Sequence, residues 1–124
     1  MENLNVLSGK VLDCAIEVHR NLGPGLLESI YELCLCKELD FKRIPNKRQT
    51  PLPIIYKGEY LKHSFRVDVF VDEKIIIEVK AIESVLPVHK AQLLSYLRLT
   101  KMTLGLMINF NVPKLIDGFS RIIN

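Results

Sequence analysis

Asp68, Glu78 and Lys80 are the residues whose types and spacing could do chemistry, and the stretch FRVDVFVDEKIIIEVK (65–80) brings them together. Residues 65–71 and 75–79 are apolar or β-branched runs separated by Asp72-Glu73-Lys74, which predicts a β-hairpin whose strands share one buried face. With those three residues as the loop, Val71 faces Ile75, Val69 faces Ile77 and Val67 faces Val79. One side of the hairpin is then wholly apolar, and Asp68 stands directly opposite Glu78. A two-residue loop would mix the faces. Opposed residues have Cβ atoms about 4.5–5.5 Å apart, where two carboxylates repel unless one is protonated or a cation lies between them. A hard divalent ion is the natural cation for such a pair. Lys80, two residues beyond Glu78, falls on the same face and brings an ammonium to the edge of the site, with Arg66 opposite it.

The elements that must position these groups follow from the rest of the chain. Ser8 is placed to cap a helix whose apolar positions Val11, Leu12, Ala15, Ile16 and Val18 recur at helical spacing. Asn21-Leu22-Gly23-Pro24-Gly25 ends it, and a second helix follows over about 26–41. Glu28 lies in the first turn of that helix, where exposed amides favour a carboxylate, so its spacing alone reads as helix capping. The basic connector around Pro45 leads into a strand at 49–56, which Pro51 and Pro53 assign to an edge or make irregular. Strands at 60–71 and 75–82 complete a meander. A helix over 88–100 places Gln92 and Tyr96 four apart on one face, where packing and a surface hydrogen bond would account for them equally well. Strands at 103–110 and 119–123 close the chain. This order predicts an α/β sandwich with a mixed sheet flanked by helices.

At 124 residues and 48% hydrophobic, the chain reads as one domain with a real core. Its net charge of +3, from 17 basic and 14 acidic residues, permits a polyanionic partner but is far from a basic nucleic-acid arm. Cys14, Cys34 and Cys36 lack the spacing of a zinc or redox pair and read as reduced residues of a cytoplasmic protein. Neither a secretory leader nor a membrane-length apolar run is apparent, so no membrane association is expected. Exposed strands at 49–56 or at the tail make a homodimer an expectation.

Asp68 followed by Glu78-Val79-Lys80 resembles the D…(D/E)xK signature of the PD-(D/E)xK nuclease superfamily. Gly25-Leu26-Leu27-Glu28-Ser29-Ile30-Tyr31 is similar to the motif of its GxxExxY family, and Gln92-Leu93-Leu94-Ser95-Tyr96 to the QxxxY element of its RecB-type exonuclease branch. Four motifs in order are more specific than a lone ExK. The resemblance implies a restriction-endonuclease-like core and a metal-dependent nuclease. It implies Mg²⁺ or Mn²⁺ held by Asp68, Glu78 and the Val79 carbonyl, with Glu28 joining directly or through water. Lys80 would orient or deprotonate the attacking water, Gln92 and Tyr96 would line the cleft, and Arg66 would meet a phosphate. The proline of the superfamily signature is replaced by Val67, and the cysteines of the iron–sulfur relatives are missing. With no appended domain for reading bases, the expected substrate is nucleic acid, DNA before RNA, cut without sequence readout.

The competing function class is a non-catalytic module that keeps the fold to bind nucleic acid or protein. A third reading makes Arg66, Asp68, Glu78 and Lys80 an ordinary cross-strand salt-bridge network, which leaves Glu28, Gln92 and Tyr96 without a role. Two acids held face to face at the cost of repulsion favour the nuclease.

Overall fold

The computed structural model describes residues 3–124. Helices α1 (Leu4–Leu22) and α2 (Glu28–Phe41) precede a meander of β1 (Asn46–Tyr56), β2 (Glu59–Val71) and β3 (Ile75–Lys80). Helix α3 (Pro87–Thr100) then crosses to β4 (Leu104–Asn109), and a 3₁₀ turn (Leu115–Gly118) leads to β5 (Phe119–Ile123). The order is the expected one. The five strands lie in one sheet in chain order, antiparallel except for the parallel pair β3–β4 that α3 connects.

Alternation along the central strands builds two cores. Ile75, Ile77 and Val79 join Val69, Val71, Leu104, Leu106 and Ile108 under the apolar stripes of α1 and α2. Ile76, Phe70 and Met107 face the other way, under Leu93 and Leu97 of α3. The hairpin is therefore buried on both faces near its turn, where the sequence had predicted one, because the parallel crossover covers the second face with a helix. Gly105 lets α3 approach closely: a Cβ there would lie 3.1 Å from Leu93 Cδ2.

The hairpin turn is the predicted three-residue loop, with Asp72 at φ 50° and Glu73 at φ 53° and the Lys74 N–H bonded to the Val71 carbonyl. The ladder keeps the expected register through Val71↔Ile75 and Val69↔Ile77, then stops. Val67 leaves the apolar face it was expected to share with Val69 and packs in the α3-side core. The strands part at this point because the Asp68 side chain, not a β2 carbonyl, takes the next β3 amide, that of Val79.

The first helix begins one turn earlier than expected. Asn3, whose side chain accepts the Asn5 N–H at 2.7 Å, is its cap, and Ser8 is buried inside the helix. Strand β1 begins three residues before its expected start and is the edge strand that Pro51 and Pro53 require. Cys14 and Cys36 are buried, and burial pushes both thiols up to about 11.

Candidate active site

Where β2 and β3 separate, Asp68 Oδ2 accepts the Val79 N–H at 2.9 Å, which holds the acid of one strand against the strand that carries the other acid. Glu78 lies on the α3 side of β3 with its Oε1 buried and unpartnered. Its carboxyl is pushed up to about 8, first by burial and then by the neighbouring Asp68 charge, with Lys80 pulling the other way. Burial and the charge of Asp68 thus both favour the protonated form of Glu78.

Glu78 and Lys80 open into a cleft between β3 and α3 with about 160 Å³ of free volume. Gln92 and Tyr96 of α3 line it together with Phe65 and His89, over Leu93 and Met107. The crossover that makes β3 and β4 parallel is what carries this helix face over the acids. Phe65 and Tyr96 stack with centroids 3.9 Å apart and rings 12° from parallel. His89 fixes the entry of α3, since its Nδ1 accepts the Leu86 N–H at 2.9 Å.

Glu28 reaches the same end of β3 from the opposite layer. It is the first residue of α2, and its Oε2 accepts the Ala81 N–H at 3.2 Å, one residue past Lys80. The loop before it is fastened by Tyr31, whose hydroxyl donates to the Gly23 carbonyl at 2.6 Å and accepts the Leu26 N–H at 3.1 Å. Tyr31 is itself fixed by stacking on Phe110, whose N–H bonds the Lys80 carbonyl. Glycine at 25, with φ +98°, allows the tight entry.

The structure therefore brings Asp68, Glu78, Val79, Lys80, Gln92 and Tyr96 to one place, with Glu28 alongside and occupied with Ala81. Among the described residues, no group of three His, Cys, Asp or Glu side chains stands ready to hold a metal ion. Arg66 does not stand opposite Lys80. The β2–β3 ladder ends before it, and on the β1 side, where it pairs with Pro51, its Nη1 donates to the Gln49 carbonyl at 3.1 Å on the surface.

Glu32 belongs to none of the sequence motifs. It is 5% exposed, and its Oε1 accepts from Arg48 at 3.1 Å and Gln49 at 2.8 Å. Burial first, and then the charge of Asp68, raises its pKa above the ordinary value, against the lowering effect of Gln49 and Arg48. The available signal was its place in the buried stripe Glu32, Leu35, Cys36, Leu39. His89 likewise precedes Gln92 by three and Tyr96 by seven on the same helix face.

An orphaned buried carboxylate oxygen, a second acid held beside it and a neighbouring backbone carbonyl form an all-oxygen donor set, the kind that hard divalent ions take. The residues present fit such an ion in chemistry.

Comparison with known proteins gives the family of the chain. Residues 5–122 match the family model of the PD-(D/E)XK nuclease superfamily, and the chain belongs to that superfamily. Its mixed five-stranded sheet flanked by helices is consistent with the restriction-endonuclease-like fold. No curated protein and no solved structure matches the chain.

Proposed function

We propose that this protein is a metal-dependent nuclease of the GxxExxY family that hydrolyses phosphodiester bonds in nucleic acid, DNA before RNA, without reading base sequence. The observation that carries the reading is Glu78: buried beside Asp68, with an unpartnered oxygen and with Lys80 on the same cleft. A surface salt-bridge network would not bury an acid against another acid. The QxxxY element on the facing helix supports DNA as the substrate form.

Asp68, Glu78 and the Val79 carbonyl would hold Mg²⁺ or Mn²⁺, with Glu28 joining through water. The ion would supply Lewis-acid polarisation of the phosphate and offset its charge. Lys80 orients the attacking water and donates to a non-bridging phosphate oxygen, where negative charge grows as the phosphorus becomes five-coordinate. Gln92 offers both a donor and an acceptor to the water or the phosphate from the α3 side. The fixed backbone between Glu78 and Ala81, tied by Asp68 on one side and Glu28 on the other, keeps Lys80 aimed without reorganisation.

Cleavage of end-labelled single- and double-stranded DNA and RNA, with Mg²⁺, Mn²⁺ or chelator, by wild type and Asp68→Ala side by side tests this. Metal-dependent cutting that vanishes in the variant is the expected result. Equal cutting by both proteins, or none by a folded wild type that also fails to bind Mn²⁺, overturns it.

A further inference from the structure

We infer that the stacked pair Phe65–Tyr96 is a nucleobase platform, and that the cleft therefore takes its substrate as an unpaired single strand or frayed end rather than as an intact duplex. The inference rests on the nuclease reading for the identity of the ligand and adds to it the strand form and the residues that select it.

The cleft combines charged and aromatic side chains. Glu78 and Lys80 line it together with the two rings. Phe65 comes from β2 and Tyr96 from α3, so the platform spans the two walls. Both rings are half-buried, neither is closed off in the core, and both line the cleft. Near-parallel stacking at 3.9 Å fixes each ring with the other, so a base arriving against the pair would lose little freedom on the protein side. Leu93 and Met107, buried in the α3-side core, add apolar surface to the lining of the cleft.

Size and chemistry then point the same way. The free volume of about 160 Å³ is on the scale of one nucleobase. A base inside a duplex already has both faces stacked, so only an unstacked nucleotide can present a face to Phe65 and Tyr96. Lys80 and His89 supply donors on the same cleft, where the phosphate of that nucleotide would lie. Nothing in this arrangement requires a particular base, because every base has a π-face.

The test is binding, read by fluorescence anisotropy in chelator so that no strand is cut. The probes are fluorescein-labelled oligothymidylate and a blunt DNA duplex of the same length. Wild type should bind the single strand more tightly than the duplex. Tyr96→Leu and Phe65→Leu should each weaken single-strand binding roughly tenfold while leaving duplex binding unchanged. Tyr96→Phe, which keeps the ring, should bind as wild type does. Since Phe65 also packs at the edge of a core, the Tyr96 pair decides the matter if Phe65→Leu loses its fold. Duplex binding as tight as single-strand binding, equal losses on both probes, an unaffected Tyr96→Leu, or no binding at all overturns the inference. Ring-dependent single-strand binding by a protein that cuts nothing would leave the platform standing and remove the nuclease reading, so the two fail separately.

Discussion

Asp68 Oδ2 accepts the Val79 N–H at 2.9 Å, so the strands carrying the two acids are joined at the site by a side chain where the backbone ladder has ended. The charge of the same carboxylate, after burial, raises the carboxyl of Glu78. One side chain thus shapes the site and sets the charge state of its neighbour.

Asp68→Asn separates these roles. The amide oxygen can still accept the Val79 N–H, so stability should stay within about 1 kcal/mol of wild type in urea denaturation. Cleavage should fall by about 100-fold or more, because the negative donor is gone. Asp68→Ala should lose the activity and also destabilise the fold by about 1–3 kcal/mol, since it strands a backbone amide. Wild-type cleavage rates in Asp68→Asn would remove Asp68 from the chemistry.

Glu78 predicts the pH dependence. Its carboxyl is raised from an ordinary value near 4.5 to about 8 in the metal-free fold. The folded state therefore holds this proton over a range where the unfolded chain has released it, and the stabilising contribution is complete below about 4.5 and lost as pH rises to about 8. In chelator, thermal stability should decline across that window, and Glu78→Gln should remove this part of the decline. Metal binding needs the carboxylate, so Mn²⁺ affinity should rise about tenfold per pH unit up to about 8 and then level off, with proton release seen in calorimetry. Affinity independent of pH, with no proton released, would contradict the protonated Glu78.

The hidden acid Glu32 gives a different signature. Its Oε1 holds Arg48 and Gln49, and Gln49 has φ 49°, a left-handed conformation that a glutamine adopts only under constraint. Gln49 falls between the pairs Arg48↔Val69 and Thr50↔Val67, across from Asp68. Glu32→Ala should destabilise the fold by about 2–3 kcal/mol by leaving Arg48 and Gln49 without their acceptor. Adding Gln49→Gly should recover part of that loss, because glycine tolerates the left-handed backbone. No recovery in the double variant would show that the conformation of Gln49 is not what Glu32 maintains.

How much of this was legible depends on how local the signal was. The hairpin register could be read from alternation and a three-residue turn, and it held for as long as backbone pairing held. It failed at Val67 because a side chain replaced the ladder, which no periodicity records. Gln92 and Tyr96 could be placed on one helix face from their spacing, but their meeting with Glu78 and Lys80 depends on the crossover geometry, and it came from the family resemblance. Glu32 is not legible in this way, because a glutamate among apolar residues reads as a solvated position. Only Arg48 and Gln49, from a distant strand, make its burial tolerable.

Glu28 and Tyr31, three residues apart in the second helix, give the last prediction. Tyr31 clamps Gly23 and Leu26, which sets the start of α2, and Glu28 at that start reaches Ala81. Two roles for Glu28 make different predictions. If it serves only to tie α2 to β3, Glu28→Gln should change nothing, since the amide oxygen can still accept the Ala81 N–H. If it also serves the ion, as proposed, Glu28→Gln should keep the fold's stability while lowering Mn²⁺ affinity roughly tenfold. Tyr31→Phe should lower both, costing about 1–2 kcal/mol through the loss of two part-buried hydrogen bonds and weakening Mn²⁺ binding through the displaced Glu28. Calorimetric Mn²⁺ titrations beside urea melts of the two variants distinguish these cases: a Glu28→Gln protein that binds Mn²⁺ as wild type does would confine Glu28 to its bond with Ala81.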